Sequence, residues 1–188
     1  INADETRFRT WDEFIKYAKQ NELTGSGAGV EDKVTQLLIN DLLGTKLTGV
    51  VSGEGASGAK AALLGGHVDF IVSNVGECTV PYQDGELIPL CVFQKERSKF
   101  LPDIPTFKEL TGSEALFFSA RALATTGGLE PAKEKILVDA IAAATKNQKF
   151  IDDMAMQGLL VEYLTPEEFI KLVKEEEKIV LEYLDDLW

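Results

Sequence analysis

Val51-Ser52-Gly53-Glu54-Gly55-Ala56-Ser57-Gly58 runs on into Ala59-Lys60-Ala61-Ala62-Leu63-Leu64-Gly65-Gly66-His67-Val68-Asp69, and this stretch sets the fold class. Read along the chain it is strand, glycine-rich loop, helix, glycine stop and strand. Gly65 can take the left-handed conformation that ends a helix, after which Val68 starts the next strand. Leu47–Val51 and Val68–Val72 are short runs that are apolar on both faces. Leu87–Phe93 and Leu116–Leu123 have the same character, and Leu159–Tyr163 is a further strand candidate. Fully buried strands alternating with helices indicate a parallel sheet covered on both sides. The expected class is α/β: a three-layer, mostly parallel sheet with helices on both faces.

The helices show in their starts. Thr10-Trp11-Asp12-Glu13 is a capping box, with Phe14, Ile15 and Ala18 as the inner face behind it. Thr106-Phe107-Lys108-Glu109 repeats the pattern, and so does Thr165-Pro166-Glu167-Glu168, with proline at the favoured first position. The last helix carries Phe169, Leu172, Val173, Ile179, Val180, Tyr183 and Leu184 at helical spacing. Another begins near Pro131 with Ile136, Leu137, Ala140, Ile141 and Ala144 on one side, and a short one crosses Phe150–Met156 and stops at Gly158.

Upstream, Gly25-Ser26-Gly27-Ala28-Gly29 precedes a helix whose expected buried stripe is Val34, Leu37, Leu38 and Leu42. A Gly/Ser loop feeding a helix presents free N–H groups and the positive end of the dipole, which suits a small anion. A tight turn without a ligand reads equally well from the loop alone. It is no P-loop, because Val30-Glu31-Asp32 stands where Lys and Ser or Thr are needed. The glycine spacing also misses the dinucleotide fingerprint. In open α/β sheets ligands bind at the carboxyl ends of the strands. Gly25, Ser26, Gly27, Ala28, Gly29 and Val30, with Ser73 and Asn74, are therefore expected to line one wall of a cleft there.

Composition narrows the function. The 188 residues hold 45% hydrophobic and 27% charged side chains, an ordinary globular profile. A net charge of −12 argues against nucleic acid and anionic membrane surfaces as partners. No apolar run approaches the length of a membrane span. Ile1 is not an initiator Met, so a segment is expected upstream, and the missing signal peptide says nothing about compartment. Cys78 and Cys91 are expected as core thiols without a disulfide. With one histidine in the chain, no Cys/His zinc cluster can be assembled, and no metal or cofactor is expected.

The Leu63-Leu64-Gly65-Gly66-His67-Val68-Asp69 segment resembles the core of the tripartite tricarboxylate transporter receptors, the Bug-type extracytoplasmic solute-binding proteins. Asp84-Gly85-Glu86-Leu87-Ile88-Pro89-Leu90 is similar to a strand of that family. Arg97-Ser98-Lys99-Phe100-Leu101-Pro102-Asp103-Ile104-Pro105-Thr106 carries the most specific likeness, and Thr165-Pro166-Glu167-Glu168-Phe169 resembles the closing helix. The likeness runs from about Thr10 to about Val180. It implies a periplasmic-binding-protein-like lobe in the periplasm, or outside the membrane on a lipid anchor in a single-membrane bacterium. A small carboxylate would be the ligand and the membrane components of a tripartite transporter the partners. It also implies that residues 1–125 form the second of two lobes, entered through a crossover near residues 1–10. Residues 126–188 would form a C-terminal segment that packs on a first lobe missing here, leaving half a binding site. Val30, Glu31 and Asp32 stand where many members carry Ser/Thr and His, Gly53 where many carry Tyr, and Ser119-Ala120-Arg121 where an aromatic pair and Gly are common. Acidic side chains in the first turn could satisfy the helix dipole themselves. Arg121 could restore a positive charge, since its fork matches a carboxylate.

Two other classes compete with a receptor. An α/β enzyme would need a nucleophile and a base. His67 supplies the one imidazole, at a helix-to-strand turn, and Ser26 and Ser57 have no identifiable base or nucleophile elbow. A protein-interaction module would use the acidic C-terminal helix, through which pairing with a second copy of the chain is also conceivable. Its charge run reads more simply as a solvated face.

Overall fold

The computed structural model describes residues 1–113 and 120–187. The chain forms two compact units, one of residues 1–118 with 179–188 and the other of residues 119–178.

Among the described residues the first unit is built on three parallel strands in the order β2-β1-β3. They are β1 (Leu23–Gly27), β2 (Leu47–Val51) and β3 (Phe70–Ile71). Helix α1 (Trp11–Ala18) precedes them, α2 (Val30–Leu43) joins β1 to β2, α3 (Gly55–Leu64) joins β2 to β3, and α4 (Val75–Gln83) follows β3. The chain moves one way from β1 to β2 and the other way from β2 to β3. Right-handed crossovers then place α2 and α3 on opposite faces. The three-layer α/β arrangement expected from the sequence is what forms.

The core gathers where α1 and the entering segment meet the sheet. Phe8, Trp11, Phe14, Leu23, Ile39, Leu47, Phe70 and Phe107 are buried in one cluster. Phe14 meets Phe8 and Phe70 edge-on at 5.3 and 5.5 Å, and Phe107 stacks on Phe93 at 4.8 Å. Helix α5 (Phe107–Thr111) carries Phe107 into this cluster. The Thr10 and Thr106 boxes both form, each threonine accepting from the N–H three residues on. Asp69 ties the base of the sheet to the entering chain. Its carboxylate accepts the Thr24 N–H at 2.7 Å and the Arg7 guanidinium at 2.6 Å.

Several expectations are corrected. The run Val68–Val72 yields a strand of two residues, because the Thr24 N–H is given to the Asp69 side chain rather than to backbone. Leu87–Phe93 makes two isolated bridges instead of a strand, Leu87 with Asn2 and Val92 with Thr106. Pro89 between them has no N–H to offer a ladder. No strand forms at Leu159–Tyr163 or at 120–123, and 116–119 lie outside the described residues. The left-handed glycine after α3 is Gly66, at φ 71°, not Gly65. On α2, Val34 is buried as expected, but Leu42 is half exposed and Thr35, Gln36 and Ile39 are buried. Cys78 and Cys91 are free but only half-buried, although burial pushes the Cys91 thiol up to about 12.

His67 follows α3 at the amino-terminal edge of the strands and is exposed. Since exposed substitutions stay within about 0.5 kcal/mol, His67→Gln should leave the melting temperature nearly unchanged in calorimetry. A larger loss would reveal a partner for the imidazole.

The second unit contains α6 (Pro131–Ala144), α7 (Gln148–Ala155) and most of α8 (Pro166–Glu182). Proline opens α6, Asn147 caps α7, and Thr165 accepts from Glu168 at the start of α8. The apolar stripes expected on α6 and α8 are present in sequence, yet none of these three helices has a buried residue. Beyond α8 the chain end rejoins the first unit, where Lys33 Nζ donates to the Leu187 carbonyl at 2.9 Å.

Candidate functional site

Parallel pairing fixes which residues share an edge. Gly27 pairs with Val51, and Ser26 with Ile71, so the chain leaves all three strands on the same side. The Ser52 N–H donates to the Gly27 carbonyl at 2.8 Å, and the Val72 N–H to the Ser26 carbonyl at 3.0 Å. Strand order reverses between β1 and β3, and α2 and α4 begin on the two sides of that point. This is the crevice at which open α/β sheets take ligands.

The structure brings eight of the expected residues to this region. Gly25, Ser26 and Gly27 are the last three residues of β1 rather than loop, a correction to the reading of Gly25–Gly29 as a turn. Their side-chain positions explain the glycines. A Cβ at Gly25 would enter the Phe70 ring, and one at Gly27 would meet Asp32. Ala28 and Val30 are exposed, and Gly29 sits between them at the start of α2. Ser73 and Asn74 lie between β3 and α4, with Asn74 as the N-cap of α4, and both are half-buried. Arg121 falls in the other unit and is exposed.

Both helix starts at this edge are capped from within. Asp32 accepts the N–H groups of Ala28 and Gly29 at 2.6 and 3.1 Å. Glu77 accepts the Ser73 hydroxyl at 2.6 Å and the Asn74 N–H at 3.3 Å. An acid at the third helical position reaching back is the usual way a helix satisfies its own first donors. Burial pushes Asp32 up to about 6, the two N–H groups pull it down, and Glu31 and Glu77 raise it further. The folded value lies above that of an unfolded aspartate. Asp32 therefore favours folding most at acid pH, and that contribution is lost as pH rises toward 6. Asp32 and Glu77 are the residues that sequence reasoning left out of the site. Their acidic position three residues into each helix was the available signal.

Other concavities lie away from this edge. One groove of about 510 Å³ is lined by Lys95, Glu96, Arg97, Thr106, Lys108 and Glu109, with Arg97 already bound to Glu109 at 3.0 Å. His67 stands at the opposite edge of the sheet from Ser26, which is buried, so these two do not form a nucleophile–base pair.

A parallel lobe of this order, with its loops gathered at the switch point, is a periplasmic-binding-protein-like lobe. The sequence matches the tripartite tricarboxylate transporter family receptor over residues 2–183, and the chain belongs to that family of solute-binding receptors. It is 28% identical over 155 residues to a UPF0065 protein of Agrobacterium vitis, covering 80% of this chain and 44% of that protein. A TctC solute-binding protein from Polaromonas, solved without ligand, superposes with a TM-score of 0.78 at 25% identity, covering 99% of this chain and 64% of the other. An R. palustris protein with adipate gives 0.80 at 19% identity, covering 94% and 62%. MatC from Rhodopseudomonas palustris with bound malate gives 0.71 at 20% identity, covering 100% and 64%. The chain thus spans under half the length of the Agrobacterium relative and under two thirds of each solved structure. Among the described residues no helix is long and apolar enough to cross a membrane.

Proposed function

We propose that this chain serves as a receptor for a small organic acid, which it delivers to the membrane components of a tripartite tricarboxylate-type transporter outside the cytoplasmic membrane. The acid's carboxylate is held at the carboxyl edge of the sheet by backbone donors of Gly27–Val30 and by Ser73 and Asn74. The rest of the Gly25–Val30 stretch shapes the wall. The observation that carries this reading is the meeting of the α2 and α4 amino termini at the β1/β3 switch point. Two helix starts directed at one crevice favour an anion there. Adipate and malate in two solved proteins of similar fold support the choice of ligand class.

Amide spectra of the 15N-labelled chain titrated with adipate and with malate test it. Saturable shifts centred on Ala28, Gly29 and Asn74 are the expected result. Shifts confined to the groove at Lys95–Glu109, or none with either acid, would overturn it.

A further inference from the structure

Asp32 occupies the two N–H groups that an incoming acid would need, and one helical turn behind it lies a buried amide with no partner. Gln36 is 1% exposed, and neither its Nε2 nor its Oε1 makes a hydrogen bond. Buried amides left in this state are rare and need a physical account. Asp32 and Gln36 stand four residues apart on α2, the spacing at which helix side chains meet. Glycines make room for both: a Cβ at Gly27 would meet Asp32, and one at Gly49 would meet Gln36. A protonated carboxyl offers one O–H donor and one carbonyl acceptor, and a primary amide offers the complementary acceptor and donors. The two atoms of Gln36 without a partner are the two that such a pair would use.

We propose that Asp32 is a proton-linked gate on the α2 amino terminus. Ionised, it holds the N–H groups of Ala28 and Gly29. Protonated, it turns to Gln36, donating its O–H to Oε1 and accepting from Nε2, and frees both N–H groups for the carboxylate of a bound acid. The ligand's charge then replaces the internal one, with one proton taken from solvent for each acid bound. The link to binding rests on the carboxylate reading above; the exchange between the two partners does not.

The surroundings favour the protonated form. Glu31 on α2 and Glu77 on α4 are the charged groups that act on Asp32, and both raise its affinity for a proton. The nearby Lys33 ammonium is engaged by the Leu187 carbonyl. With Asp32 near 6, carboxylate affinity should strengthen as pH falls through that value, by up to about tenfold per unit above it.

The ligand-free chain tests the exchange. In an NMR pH titration, the Gln36 side-chain amide and the Ala28 and Gly29 N–H signals should move with one midpoint, that of the Asp32 carboxyl. Asp32→Asn should remove this common transition. Gln36→Leu should lower the Asp32 midpoint, because the protonated form loses its partner. A Gln36 amide indifferent to the Asp32 titration, together with an unchanged midpoint in Gln36→Leu, overturns the proposal. Titration with adipate and malate across the same pH range then reads the coupling. Binding that strengthens toward acid pH, with the slope lost in Asp32→Asn, is the expected result, and binding of equal strength throughout overturns the gate. A chain that binds neither acid at any pH, while Gln36 still follows Asp32, sinks the carboxylate reading and leaves the exchange standing.

Discussion

Gly25→Val is expected to lower stability by about 3 kcal/mol, the upper end of what overpacking a dense core costs. The position is in the central strand, paired with Gly49 on one side and Phe70 on the other. The added Cβ would enter the Phe70 ring, which is itself 5% exposed and packed edge-on against Phe14 at 5.5 Å. Neither ring can move without disturbing the main aromatic cluster. Replacing glycine removes up to about 1 kcal/mol of unfolded-state entropy, which favours the variant. The clash is larger, so loss of stability wins. Urea denaturation gives the number, and a variant as stable as the parent would show that Phe70 can swing clear.

Gly27→Val, two residues on, should behave differently. Its Cβ would meet the Cβ and carboxylate of Asp32, a side chain at the rim rather than a ring in the core. The nearest atom is the Asp32 Cβ, whose place is fixed by the α2 backbone, so the helix start must shift, and the expected cost to folding is about 2 kcal/mol. What suffers is the edge itself. Asp32 is forced off the Ala28 and Gly29 N–H groups, and the new isopropyl group stands beside those same donors. Adipate and malate shifts at Ala28 and Gly29 should disappear at temperatures where the variant is still folded. Shifts retained in the folded variant would mean that the glycine serves the packing of β1 against α2 and nothing more. Comparing Gly25→Val with Gly27→Val separates a glycine kept for packing from one kept for the site.

These two glycines also show where sequence reasoning reached its limit. A cluster of Gly and Ser suggests a loop, because the pattern carries no side chains to reveal a strand. Here the missing side chains are the point: Phe70 fills the space over Gly25, and Asp32 that over Gly27. The same blindness affected α2. Of the expected inner stripe Val34 is buried and Leu38 packs on the core, but Leu42 is half exposed and the gap over Gly49 takes Gln36, so the buried face is rotated and partly polar. Helix α4 was not anticipated, since Pro81 lies inside it. Signals that depend on neighbours in sequence proved readable. Thr10, Thr106 and Thr165 each mark a helix start, and Leu47–Val51 is a strand over its full expected length. The meeting of Ser73 and Asn74 with the end of β1 was legible for a topological reason, because residues that follow parallel strands share an edge. That the donors there would be held by Asp32 and Glu77 depends on side-chain reach, which spacing alone does not fix.

The second unit carries three helices and no buried side chain among its described residues. Its exposed pairs, such as Lys135–Asp139 and Lys149–Asp153 at 2.7 Å, contribute a few tenths of a kcal/mol each. Helices of this length are marginal in water without a packed face. Its apolar side chains, such as Ile141, Ile151 and Phe169, are at most half-buried, so melting this segment adds less per residue to the heat-capacity change of unfolding than melting the first unit. Thermal unfolding of the 188 residues will therefore register chiefly the first unit, and a calorimetric enthalpy divided by chain length will fall below the ordinary value for a globular protein.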